Sequence, residues 1–480
     1  MQSTSHTFKD NVKTALADEH LRKALGNMKA GFQDKRAATI AKLPEFEALR
    51  DQGKAIKDDV LANLDYYLER FEDNVTRDGG HVHWARTPQE ACEAILGICR
   101  DTGARVATKG KSMIAEEIGL NEYLEKHGMT PVETDLGEYI IQLRHEAPSH
   151  IIAPAIHLSK EQVSDTFRRS HKHLSADRPL DEPRDLTDEA RTVLRQQFVN
   201  ADVGITGANF LIAETGSTVI VTNEGNGDLT QNLPRVHIVV ASIEKIVPTL
   251  EDSAAILRLL ARSATGQEYS VYTTYSTGPR RPDDLDGPDE FHVVIVDNGR
   301  SDLLGTEAAE ALRCIRCGAC MNHCPVYGAI GGHAYGWVVP GPIGAALTPG
   351  ILGVEEARDL PNASTFCGKC EEVCPMKIPL PKIMHSWRIE EYDRGLTPPR
   401  QRFGLGVWSW VATRPRLYNW LTGLAVRGGH MIGRRRGSWR WMPLAGGWTA
   451  YRDLPVPAGD GTFQQLYARR RNRGTAGDGK

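Results

Sequence analysis

Seven of the nine cysteines fall between Cys314 and Cys374, in two runs. The first reads Cys314-Ile-Arg-Cys317-Gly-Ala-Cys320-Met-Asn-His-Cys324-Pro325, and the second Cys367-Gly-Lys-Cys370-Glu-Glu-Val-Cys374-Pro375. Superposed on their Cys-Pro ends, Cys374 matches Cys324, Cys370 matches Cys320 and Cys367 matches Cys317, while Cys314 meets Ser364. The N-terminus is polar, without an apolar stretch or a twin arginine, and predicts a cytoplasmic chain. In that reducing compartment clustered cysteines serve as metal ligands rather than disulfides. The segment must therefore fold around an inorganic group and not around side chains alone.

The x2, x2, x3 spacing followed by proline is the ligand run of bacterial two-cluster iron–sulfur proteins. Three cysteines two residues apart wrap one cubane, and the fourth points away to the neighbouring cluster. Gly318 lets the backbone close on the cluster, so that amide N–H groups can bond to sulfide. Crossed ligation then predicts a 4Fe-4S site of Cys314, Cys317, Cys320 and Cys374. It leaves Cys324, Cys367 and Cys370 as a three-thiolate site. That site suits a 3Fe-4S cluster, or a 4Fe-4S cluster whose fourth iron takes a weaker ligand such as the Ser364 oxygen or water. Structural zinc wants closed sets of four, and seven cysteines do not divide into fours. His323 and His333 flank the runs and read as packing residues rather than ligands. Cys92 and Cys99, seven apart in TPQEACEAILGICRDTG, lie two helical turns apart and read as buried core thiols.

A chain of 480 residues exceeds one core. Residues 1–75 read as a helical segment, from apolar residues recurring at three and four. Over 76–300, strands (GGHVHWA, ARVATKG, TPVETDLG, SHIIAPAIHL, RVHIVVAS, FHVVIVDNG) alternate with helices (TPQEACEAILGICRDTG, GLNEYLEKHG, EDSAAILRLLARSA). That alternation predicts an α/β domain on a largely parallel sheet. Residues 301–390 form the cysteine domain, and 391–480 a basic, Trp-rich tail with Pro/Gly-rich joints. From His385 onward there are seventeen Lys and Arg against six Asp and Glu, and eight of nine tryptophans lie at or after Trp337. The aromatic residues read as packing over the clusters. The tail's charge suits docking on an acidic protein or a membrane surface better than on nucleic acid. No apolar run is long enough to span a bilayer, so any membrane contact is expected to be peripheral.

The α/β segment lacks both a GxGxxG fingerprint and a P-loop, so nothing in it calls for a flavin or nicotinamide. Its informative stretch is GITGANFLIAETGSTVIVTNEGNGD. Asn209, Glu214 and Asn223, with Ser217 in the ETGS turn, are candidates for one ligand pocket. Lys109 and Lys111, at the end of a strand, could join them, since open α/β sheets bind ligands at that edge. The alternative for ETGS and NEGNG is a hairpin with ordinary turn residues.

Two regions carry a family resemblance: GITGANFLIAETGSTVIVTNEGNG, and CIRCGACMNHCP with GGHAYGWVVPGPIGAALTPG and CGKCEEVCPMKIPLPK. The pairing of a four-cysteine with a three-cysteine run resembles the helical ferredoxin domain of succinate dehydrogenase iron–sulfur subunits. The whole chain resembles the lactate-utilisation protein B family. The resemblance implies an α/β domain of sugar-phosphate-isomerase type, N-terminal helices, and a helical two-cluster ferredoxin domain. It also implies an electron-transfer subunit in oxidation of L-lactate to pyruvate, with a cysteine-rich redox subunit and a small α/β subunit as partners. The alternative is a hydroxy-acid-binding oxidoreductase whose α/β domain itself carries the oxidation.

Overall fold

The stretch Val236–Ser242 is buried at all seven positions, and Glu290–Val296 at all but the first. β-Branched runs without alternation are covered on both faces, which is the condition of a parallel sheet between helices. The computed structural model describes residues 2–442, 446–449 and 452–474. Ten strands belong to the α/β part: β1 (His81–Ala85), β2 (Val106–Gly110), β3 (Thr130–Glu133), β4 (Val203–Gly207), β5 (Phe210–Ile212), β6 (Ser217–Thr222), β7 (Val236–Ser242), β8 (Ile246–Val247), β9 (Tyr272–Ser276) and β10 (Glu290–Val296). Six of them form one sheet in the order β1-β10-β7-β4-β2-β3, parallel throughout. The other four form a small mixed sheet, β8-β5-β6-β9.

The helices start where local chemistry tells them to. Thr87 accepts a hydrogen bond from the Glu90 amide, with Pro88 next, to open Pro88–Asp101. Thr249 does the same for Leu250–Ala264. Within Pro88–Asp101, Cys92 and Cys99 are both buried, and burial pushes their thiols up to about 11 and about 12. They are core residues.

The expected strand SHIIAPAIHL is not a strand. Residues 149–157 form an irregular turn. The buried His150 ring organises it: Nδ1 accepts from the Ile152 and Ala153 amides at 3.1 and 3.2 Å, and Nε2 donates to Asn322 at 2.9 Å. Side-chain capping of its own backbone diverts the segment from a ladder. The strand β9, YTTYS, had no clear sequence signal because its side chains are half-exposed.

Two compact units emerge, Met1–Arg394 and Gly395–Lys480. In the first, one apolar core joins Phe46 of the N-terminal helices, Leu259 of the α/β part, and Cys320 and Met376 of the cysteine segment. The N-terminal helices also clasp the second cysteine run. Arg50 donates to the carbonyls of Glu372 and Cys374 at 3.0 and 2.7 Å, and Arg36 to that of Val373 at 2.8 Å. In the second unit, Pro399–Ala412 and Pro415–Gly433 are helical. Trp408, Trp410 and Trp420 are exposed there. Trp337 and Trp387 join the core around the cysteines. Among the described residues no helix is long and apolar enough to cross a membrane.

Candidate metal centre and adjoining cavity

Each cysteine loop is built on two left-handed residues. In the first, Arg316 has φ 58° and Gly318 φ 72°; in the second, Phe366 has φ 53° and Gly368 φ 78°. These positions match when the runs are superposed on Cys-Pro, so the loops share one backbone path. Left-handed turns aim successive amides to one side, the arrangement that binds anionic sulfur. The Arg316 amide donates to Cys314 Sγ at 3.4 Å, and the Ile378 amide to Cys374 Sγ at 3.5 Å. The loop is also tightly covered: a Cβ on Gly318 would sit 2.9 Å from Ile152 Cδ1.

The fold sorts the seven thiols into two sets. Cys314, Cys317, Cys320 and Cys374 line one small apolar cavity with Ile151, Ile343 and Met376. Burial, and then Cys314, Cys317 and Cys374, push the Cys320 thiol well up. Burial likewise pushes Cys374 up to about 11. In the other set, burial and then Cys324 push Cys370 up to about 12, with Cys367 adding to it. Cys367 is exposed, and the Lys369 amide followed by the Thr365 hydroxyl holds its thiol below the ordinary value. Cys370 also acts on Cys320, so the two sets adjoin. Thiols from both runs ringing a cavity, with amides aimed at sulfur, fit iron–sulfur clusters. The flanking histidines are otherwise engaged: His323 Nδ1 donates to the Ala319 carbonyl at 2.8 Å and His333 Nε2 to that of Ala147 at 2.7 Å.

A second cavity, of about 110 Å³, opens beyond the carboxyl ends of β2, β4 and β7, where Lys111, Gly207 and Ser242 line it. Asn209 and Asn223 are on its wall, as the sequence suggested. Glu214, Ser217 and Lys109 are not. Glu214 accepts from the Leu250 amide at 3.1 Å, and Ser217 bonds Thr277 at 2.6 Å beside the β5–β6 turn. That stretch is the hairpin alternative. Lys109 is buried against Glu133 at 2.6 Å and against Glu116. Burial alone would lower its ammonium, but the two carboxylates hold it above the ordinary value.

Sequence reasoning missed the charged wall of this cavity, formed by Lys245, Arg300 and Arg316. Arg300 and Glu117 are fully buried and joined by two hydrogen bonds of 2.8 Å. Arg300 Nε also pairs with Glu244 at 3.1 Å, and Glu244 accepts from Arg316 at 3.4 Å. This chain of charges ties the parallel sheet to the first cysteine loop. Despite burial, Arg300 and then Arg316 hold the Glu244 carboxyl down to about 2. The available signal was the basic residue inside the ligand run, CIRC.

The parallel α/β domain and the paired thiol rings define an iron–sulfur protein of the electron-transport class. Residues 68–296 match the family described as LUD domain, and residues 310–378 the family described as 4Fe-4S dicluster domain. Lactate utilization protein B of Lysinibacillus sphaericus is 42% identical over 465 residues, covering 95% of this chain and 96% of that protein. The same-named protein of Bacillus subtilis is 41% identical, covering 95% of each. An Escherichia coli protein named "Uncharacterized electron transport protein YkgF" is 41% identical, covering 95% and 96%. The chain belongs to the lactate utilization protein B family.

Proposed function

We propose that this chain is the iron–sulfur electron-transfer subunit in oxidation of L-lactate to pyruvate, passing electrons through two clusters. The observation that carries the reading is the pair of adjoining thiol sets, one enclosed (Cys314, Cys317, Cys320, Cys374) and one reaching the surface at Cys367 (with Cys324 and Cys370). Such a pair suits a relay from inside to a docked acceptor. The names of the relatives supply lactate. Clusters exchange single electrons, whereas lactate loses two electrons and two protons on becoming pyruvate. Bond cleavage is therefore assigned to partners: a cysteine-rich redox subunit and a small α/β subunit, in the cytoplasm.

Iron and sulfide analysis with EPR on the anaerobically purified full chain tests this. The expected result is roughly seven to eight irons per chain with a 4Fe signal on reduction. Zinc without sulfide would overturn it. The cavity beside the enclosed thiol ring favours a second reading, in which the α/β domain itself oxidises a hydroxy acid. Lactate-dependent cluster reduction by this chain alone would decide for that one.

A further inference from the structure

The cavity at the carboxyl edge of the six-stranded sheet is lined by several cationic residues. Of its cationic residues, Arg300 is consumed by Glu117 and Glu244. Arg316 spends Nη2 on Glu244, while its Nη1 is buried without a hydrogen-bond partner. Among the described residues no carboxylate lies within ion-pair distance of Lys245, and burial followed by Arg316 pushes its ammonium down to about 8. Glu117 and Glu244 thus face Arg300, Arg316 and Lys245, with Lys111 also on the wall, so positive groups outnumber negative ones there and a bound anion would be favoured.

The remaining wall narrows the class of anion. The cavity is small, about 110 Å³. Asn209 and Gln267 supply polar groups, and Val221 and Leu260 supply an apolar side. Guanidinium and ammonium beside amides and a short aliphatic patch fit a small organic acid, gripped at its carboxylate. The place is where open parallel sheets bind ligands.

The cavity also touches the enclosed thiol ring. Ile151 lines both. Arg316 lies between Cys314 and Cys317, and its amide bonds Cys314 Sγ. We propose that this cavity binds a small organic acid through Arg316 and Lys245, and that the bound carboxylate lowers the reduction potential of the cluster held by Cys314, Cys317, Cys320 and Cys374. The proposal rests on the electron-transfer reading for its second half. Its sign follows from charge: an anion beside a centre that gains an electron opposes the reduction. By linkage, reduction must weaken binding by the same factor.

The test uses the full chain with its clusters, and pyruvate, propionate and inorganic phosphate as probes. Calorimetry and a redox titration are the readouts. Pyruvate should bind, and saturation should shift the potential of one cluster downward. Lys245→Met should weaken binding by roughly tenfold or more with iron and sulfide content unchanged. Arg316→Gln should weaken binding and abolish the shift. Phosphate binding without either acid would overturn the proposal, as would no binding at millimolar acid, or unchanged affinity in Lys245→Met. Intact cluster signals in those cases would leave the electron-transfer reading standing. Absent cluster signals would sink that reading, while calorimetry would still decide the pocket.

Discussion

Ser364 stands in the second cysteine loop where Cys314 stands in the first, and it makes the same bond. The Phe366 amide donates to Ser364 Oγ at 3.1 Å, as the Arg316 amide donates to Cys314 Sγ at 3.4 Å. A ligand position is thus preserved in backbone and changed only in atom, from sulfur to oxygen. Hydroxyl oxygen binds iron less readily than thiolate, so the site of Cys324, Cys367 and Cys370 should lose its fourth iron on oxidation. Ser364→Cys is expected to replace a 3Fe signal in oxidised EPR spectra by a 4Fe signal on reduction. An unchanged spectrum would show that Ser364 is not the vacated position.

Cys374 belongs by sequence to the second run, yet it lines the cavity of Cys314, Cys317 and Cys320. Cys374→Ser should therefore damage the cluster of the first run more than its own neighbour's. EPR and iron content, measured side by side with Cys367→Ser, would separate the two. Selective loss of the Cys324–Cys367–Cys370 signal in Cys374→Ser would contradict the crossed arrangement.

The buried chain Glu117–Arg300–Glu244–Arg316 joins the sheet to the cysteine loop. Arg300→Met removes the guanidinium shared by two buried carboxylates, leaving Glu117 its bond from Asn298 and Glu244 its pair with Arg316, and breaking such a buried pair costs about 3–5 kcal/mol. Chemical denaturation should show a loss of that size, with iron loading falling too. A change under about 0.5 kcal/mol, the range of ordinary surface substitutions, would mean the network does not hold the two parts together.

His237, buried near the start of β7, is pushed down to about 3 by burial and then by His292. Its ring bonds Thr206 Oγ1 at 2.8 Å and packs on Phe291. His292 in turn stacks on His81 and bonds His83 at 3.1 Å, with Glu290 the nearby carboxylate. A histidine with a depressed folded value contributes its stability above its unfolded value. That contribution fades as pH falls from about 6.5 towards 3. Stability should therefore drop between pH 7 and pH 5, and less steeply in His237→Gln. Equal slopes in urea titrations would remove this histidine from the account.

Much of the architecture was legible because its causes are local. Strands alternating with helices along 76–300 announced the largely parallel sheet, and TPQEACEAILGICRDTG and EDSAAILRLLARSA announced two of its helices. What misled was also local: SHIIAPAIHL has strand composition, but His150 caps its own backbone. The pocket was half legible. Asn209 and Asn223 were found, whereas Lys109 was misassigned because it is buried against Glu116 and Glu133, while Lys111 lies past the end of β2 in a left-handed conformation, φ 48°, on the cavity wall.

Sequence alone determined the two cysteine runs, the x2, x2, x3 spacing of the first and the serine that stands in the second where the first has Cys314. Those properties belong to loops a few residues long, whose geometry is set by left-handed turns and by the reach of a thiol. The spacing also led to the expectation that Cys374 joins Cys314, Cys317 and Cys320, whose cavity it lines; only the tertiary structure decided that Lys245 and Arg316 meet in one cavity. Such meetings depend on how sheet, loop and helices pack across long stretches of chain. No local spacing encodes that, because the burial of the whole core chooses it.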